Sequence, residues 1–310
     1  SFKNADIIAQ SCKGNDLKNL PELAYKLTKD LHTDVEKFRA IYIWVCTNIE
    51  SDYNGFRKNH VKRSKFQNDS LQLNNWTKTF SNNVFKKLLK EKKTVCTGYA
   101  YLIKKLANLA NINCEIIDGY GRTANSIEKQ LQFPNHSWNA VQLNNKWYLC
   151  DATWSSGSFN LSNFTFEFNY NDGYFLSSPE LFAKNHFPIE NSWFLMNEKP
   201  ILSDFLDAPL VYGNAFIYNI FPTEPSSMFL EIKKNEEIVF SLKELKSFDT
   251  KFLFLEIASG DNSQISQPKI NRNKDGLIQI KHLFSTRGLY DVQIKLMNDV
   301  ICSYVVKVKS

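Results

Sequence analysis

Asn144-Asn145 constrains this chain more than any other pair of residues. It separates two runs that read as strands, 136–143 and 146–153. Asparagine tolerates positive φ, so the pair fits a two-residue hairpin turn. Such a loop leaves one register: Leu143 faces Lys146, Trp138 faces Asp151, and His136 faces Thr153. Paired residues share a sheet face, as do residues two apart on one strand. His136, Trp138, Ala140, Trp147, Leu149, Asp151 and Thr153 are therefore expected on one face. His136 and Asp151 become diagonal neighbours, ~7–8 Å apart at the backbone and within side-chain reach. A carboxylate on an apolar face is costly without a partner, and His136 supplies one. A slip of one residue would destroy the arrangement.

That face needs a layer to pack on. Residues 97–110 read as a helix whose stripe is Tyr99, Leu102, Ile103, Leu106 and Ala110. Cys96 stands at its start. Unpaired N–H groups and the dipole at a helix N-terminus favour the thiolate, the nucleophilic form of cysteine. Gly98 is expected to leave space for a substrate backbone. Cys96, His136 and Asp151 then supply nucleophile, base and orienting acid for acyl transfer. The Cys96 N–H is the first candidate oxyanion donor, and Trp44, Tyr53 and Trp76 stay open for the second. The alternatives are a buried structural thiol at Cys96 and a mutually satisfied core pair at His136 and Asp151. Burial is the favoured reading for Cys12, Cys46, Cys114, Cys150 and Cys302. His32, His60, His186 and His282 lack comparable context and read as surface or structural.

Upstream, residues 5–50 read as helical, with Leu17, Leu20, Leu23, Leu27 and Leu31 at helical spacing. A helix capped by Thr33, with Glu36 following, carries Phe38, Ile41, Tyr42, Val45 and Ile49 on one face. Residues 51–75 are polar without a clear period and read as a long loop. Residues 83–91 read as a short helix. Residues 114–117 read as a strand that Gly119 and Gly121 end. Residues 155–205 read as loops and short helices. From Pro209 the character changes to seven short β-type runs between 215 and 307, which suggests a sandwich. The expected fold is α+β: helices on an antiparallel sheet over residues 1–205, then a small all-β, Ig-like domain over 206–310. A length of 310 residues agrees with two domains at ~100–200 residues each.

The net charge of +6 is mild and spread along the chain. Its densest patch, 57–65, reads as a solvated loop or as a contact for an acidic partner. Nothing points to nucleic acid. No apolar run approaches the ~18 residues of a membrane helix. The six cysteines form no CxxC pair, so no structural zinc is expected, and neither metal nor cofactor is implied. With Cys96 free, the other five cannot all pair. The chain opens on Ser1, which fits a removed leader and leans towards a periplasmic or extracellular location.

Three segments together carry a family resemblance. They are Val95-Cys96-Thr97-Gly98-Tyr99-Ala100, His136-Ser137-Trp138-Asn139-Ala140-Val141, and Trp147-Tyr148-Leu149-Cys150-Asp151-Ala152-Thr153-Trp154. This set resembles the core of the transglutaminase-like superfamily. Lys37-Phe38-Arg39-Ala40-Ile41-Tyr42-Ile43-Trp44 is similar to the family's leading helix. Tyr174-Phe175-Leu176-Ser177-Ser178-Pro179-Glu180, Asn185-His186-Phe187-Pro188 and Trp193-Phe194-Leu195-Met196 resemble its kyphoscoliosis-peptidase branch. The likeness covers roughly 33–200 well and the β-rich tail loosely. Thr94 departs from it, standing where the family usually has Gly, and 55–80 looks like an insertion. The resemblance implies a cysteine peptidase or acyl transferase that acts on protein or peptide amides through a thioester on Cys96. The alternative it implies is a non-catalytic protein-binding or scaffolding module on the same fold. The β tail is expected to meet a protein partner, with a sugar or cell-wall partner as the weaker reading.

Overall fold

The computed structural model describes residues 2–123, 133–160, 162–163 and 165–310, which divide into two compact units. The first holds 2–121, 133–178 and 188–195. It begins with helices α1 (Lys3–Ser11), α2 (Leu20–Thr28) and α3 (Asp34–Asn48). A capping box starts α3: Thr33 Oγ1 accepts from Glu36 N, and the Glu36 carboxylate accepts from Thr33 N. This helix buries more than the one face expected of it. Phe38, Ile41, Tyr42 and Val45 are covered, and so are Arg39, Ala40, Trp44 and Cys46. A helix covered nearly all round lies at a domain centre. The Arg39 guanidinium bonds Asp6 at 2.8 Å, also bonds Asp172, and lies over the Phe175 ring. It thereby ties α1 to the core.

Next come β1 (Glu50–Ser51), α4 (Tyr53–Phe66), α5 (Ser70–Glu91), β2 (Lys93–Thr94) and α6 (Cys96–Leu109). The polar stretch expected as a long loop is therefore a helical hairpin, and the expected short helix 83–91 is the end of α5. Asp52 caps α4 at Gly55 N, and Asp69 caps α5 at Gln72 N. No residue of α4 is fully buried, so the apolar periodicity that signals a helix is missing there.

β3 (Cys114–Gly121), β4 (His136–Leu143) and β5 (Lys146–Cys150) lie side by side, antiparallel, in the order β5-β4-β3. β3 runs through Gly119 and stops at Gly121, four residues beyond the expected end at 117. The Asn144-Asn145 turn has both residues at positive φ, with Leu143 opposite Lys146 and Asn139 opposite Cys150, the expected register. Pairing ends there. Asp151 turns out of the strand and caps α7 (Ala152–Ser156), so Trp138 and His136 do not pair with Asp151 and Thr153. A hairpin of β6 (Gly157–Asn160) and β7 (Thr165–Phe168) follows, inside a stretch expected to be loops and short helices.

The sheet face that packs on α6 is also the opposite of the one expected. Asn139 donates to Ala100 O of α6 at 3.0 Å, and Val141, Leu143 and Cys150 share a core with Tyr99, Leu102, Ile103 and Leu106. Residues 136–141 are all buried, so β4 lacks the polar alternation that would tell its faces apart.

The second unit holds 122–123, 179–187 and 196–310. It contains α8 (Pro179–Phe182) and most of β8 (His186–Pro188), then α9 (Leu202–Asp207), β9 (Leu210–Val211) and α10 (Gly213–Tyr218). The remaining strands are β10 (Ile220–Glu224), β11 (Phe229–Lys233), β12 (Glu237–Glu244), β13 (Leu253–Ser259), β14 (Asn262–Ser266), β15 (Lys269–Arg272), β16 (Ile278–Leu283), β17 (Gly288–Leu296) and β18 (Asp299–Lys309). They form two sheets, β10-β12-β16-β15 and β11-β18-β17-β13-β14, with β9 paired to β18. Alternating residues of both sheets are buried, with Phe240 against Tyr304 at 4.8 Å between ring centroids. The run expected as a first strand from 215 is α10 followed by β10, while β14 and β15 were not expected. Among the described residues, no helix is long and apolar enough to cross a membrane.

Candidate active site

Cys96 is the first residue of α6, and Val95 at the N-cap supplies no side-chain hydrogen bond to the first turn. An N–H at that position is one of the donors a helix leaves unpaired. Two short parallel strands set where the helix begins: β1 pairs with β2 through Glu50–Lys93 and Ser51–Thr94. Asp52 N donates to Thr94 O at 2.6 Å. Gly98 serves close packing against Thr94. A Cβ on Gly98 would lie 1.9 Å from Thr94 Oγ1. Thr94 and Gly98 are thus a matched pair beside Cys96, and Thr94 is itself buried.

Asp151 is fully buried, and its two oxygens have separate tasks. Oδ1 accepts from Thr153 N (2.8 Å) and Trp154 N (3.2 Å), which starts α7. Oδ2 accepts from His136 Nε2 at 2.7 Å. Cys96 lies close enough to the imidazole to act on its charge, so Cys96, His136 and Asp151 are neighbours. The Trp154 ring stacks on His136 (4.5 Å, 17°), and Tyr174 meets Trp154 edge-on. Gly121 makes room for this stack, since a Cβ there would fall 2.9 Å from His136 Cβ and Cγ. Hydroxyls lock α7 from both sides. Tyr42 of α3 bonds Ser155 Oγ at 2.7 Å, and Ser156 Oγ donates to the Tyr99 hydroxyl of α6 at 3.2 Å.

Burial alone would pull the His136 pKa down. The Asp151 charge and hydrogen bond, with the charge of Cys96, outweigh it and push the value up from 6.5 to about 10. The shift favours the charged imidazolium over the neutral ring. The sign of the linkage follows. A folded-state pKa above the unfolded one stabilises the fold fully below about 6.5, and that contribution is lost as pH rises through about 10. We expect both amide turnover and resistance to urea to decline over that alkaline span. Profiles that stay flat from about pH 9 to about pH 11 would contradict this charge state.

The other cysteines are free thiols and buried. Burial raises Cys46 and Cys150 well above the ordinary thiol range and Cys114 to about 12. Two of the three candidate second oxyanion donors are otherwise engaged: Trp44 Nε1 donates to Cys12 O, and Trp76 Nε1 to Asn59. Tyr53 stacks on Phe159 at 4.3 Å. His186 is buried in the second unit, stacked on Phe182 and bonded to Asn185. Trp154 and Gly121 were not expected as site residues. The spacing of Trp154 to Asp151, three residues along a capped turn, was the available signal.

A sequence model of the transglutaminase-like superfamily matches residues 21–152. Kyphoscoliosis peptidase of Homo sapiens is 32% identical over 223 residues, which cover 70% of this chain and 30% of that protein. Lim and transglutaminase domain protein ltd-1 of Caenorhabditis elegans is 26% identical over 232 residues, covering 71% and 29% respectively. Hillarin of Drosophila melanogaster is 25% identical over 234 residues, covering 71% and 26%. The chain thus spans less than a third of the length of these curated relatives.

Proposed function

Because this chain belongs to the transglutaminase-like superfamily through residues 21–152, we propose that it is a cysteine peptidase or acyl transferase. The carrying observation is the 2.7 Å bond between His136 Nε2 and Asp151 Oδ2, on an imidazole that lies close enough to Cys96 to feel its charge. Cys96 Sγ attacks a protein or peptide amide carbonyl, and a C–S bond forms. The C–N bond breaks as His136 gives its proton to the departing amine, leaving a thioester. Water or a second amine then attacks the thioester, His136 takes the acceptor's proton, and Cys96 is released. Asp151 fixes the tautomer and orientation of the imidazole throughout. In this reading residues 1–205 carry the chemistry and 206–310 are an accessory Ig-like domain for a protein partner.

A second reading is a protein-binding module that retains the fold, and the burial of Cys96, 8% exposed, favours it. A neutral thiol probe separates the two. We expect Cys96 to label faster than Cys46, Cys114 and Cys150 at neutral pH, because burial holds those three protonated. Cys96 labelling no faster than they do would remove the enzyme reading.

A further inference from the structure

Resting on the reading of Cys96 as the nucleophile, we propose that Arg63 of the α4–α5 hairpin forms a carboxylate-binding subsite beside it. Substrates with an acidic side chain next to the scissile amide would be selected.

The position of the guanidinium is set by two contacts. Its Nη1 donates to Pro134 O at 2.8 Å, and it lies over the Phe133 ring at 4.5 Å. Pro134 is two residues before His136, so this anchor is within about 7 Å of the His136 backbone even for an extended chain. The helix beneath Arg63 is itself held. Asp52 caps α4 and bonds Lys87 of α5 at 2.6 Å, and Tyr53 stacks on Phe159 of β6.

Arg63 shares a place over an aromatic ring with its neighbours but also donates to a backbone carbonyl. Lys58 and Lys62 lie over the Trp76 ring, and Lys65 lies over Phe66. Arg39, the other arginine of this unit held by the core, bonds two carboxylates. Among the described residues, no carboxylate lies within ion-pair distance of Arg63. Asp118 is close enough to act on its charge but bonds Ser137 Oγ at 2.6 Å. Burial lowers the Arg63 pKa, while the charges of Asp118 and Cys96 raise it. A half-buried guanidinium has five donors, and one of them here meets a backbone carbonyl. A planar carboxylate matches the remaining fork in charge and geometry.

The test compares alkylation of Cys96 by iodoacetate, which is anionic, and iodoacetamide, its neutral analogue. In Arg63→Gln the iodoacetate rate is expected to fall more than the iodoacetamide rate, lowering their ratio roughly three- to ten-fold. Arg63→Lys should retain more of the ratio than Arg63→Gln. An unchanged ratio in Arg63→Gln overturns the subsite. A second measurement needs no substitution: two peptidyl chloromethyl ketones, with Glu or Gln next to the reacting residue, compete for Cys96. Preference for Glu that weakens with added salt supports the subsite, and equal rates overturn it. Cys96 inert to iodoacetamide would bring down the nucleophile reading together with this one. Cys96 reactive but indifferent to charge brings down the subsite alone.

Discussion

Alanine at Cys96 is expected to abolish covalent capture of peptides by this protein. Incubated with a peptide mixture and quenched in acid, the unaltered chain should carry an acyl adduct on the Cys96 segment, read by mass spectrometry. Cys96→Ala should lose it, with turnover falling on the order of 10⁴- to 10⁶-fold, as when the nucleophile of a coupled triad is removed. Cys114→Ala is the matched control. Cys114 is another buried free thiol, but it lies on β3 and burial raises its pKa to about 12. It should keep the adduct. An adduct that survives Cys96→Ala would place the chemistry elsewhere.

Asp151 gives the second large effect, and two substitutions divide its two tasks. Asparagine caps helices as well as aspartate does, so Asp151→Asn should keep the bonds to Thr153 N and Trp154 N. It removes the charge that holds His136 as imidazolium and lets the ring change tautomer. Turnover should fall on the order of 10²- to 10⁴-fold while the fold persists. Asp151→Ala removes the cap as well and leaves His136 without its buried partner. Loss of one member of a buried pair costs about 3–5 kcal/mol, and loss of a cap about 0.5–2 kcal/mol. Urea unfolding should therefore separate the two variants. Equal turnover in Asp151→Asn and the unaltered chain would deny Asp151 its orienting role.

The hairpin register was legible from Asn144-Asn145 because a two-residue turn leaves little freedom. What the pattern could not show was that Asp151 leaves the strand. A residue that ends a ladder and starts a helix looks like a strand residue when its neighbours are apolar. Its contact with His136 survives the changed geometry because the cap turns Oδ2, not Oδ1, towards the ring. The packed face of β4 was misjudged for a different reason, since a strand buried on both sides carries no polar alternation. The helical hairpin was missed because α4 buries little, and its capping residues Asp52 and Asp69 were the signals present. The β-rich tail was legible strand by strand where turns punctuated it, and less so at α10, whose apolar run resembles a strand.

The parallel pairing of β1 with β2 has a consequence for the history of such a domain. It places Glu50 beside Lys93, so the whole α4–α5 segment departs and returns at neighbouring points of the backbone. The entropy of closing that loop is met by the pairing and grows only slowly with length. The segment can therefore be shortened, extended or exchanged while the residues that set the start of α6 stay in place. Descendants of one ancestor can renew the α4–α5 segment and inherit the start of α6 unaltered.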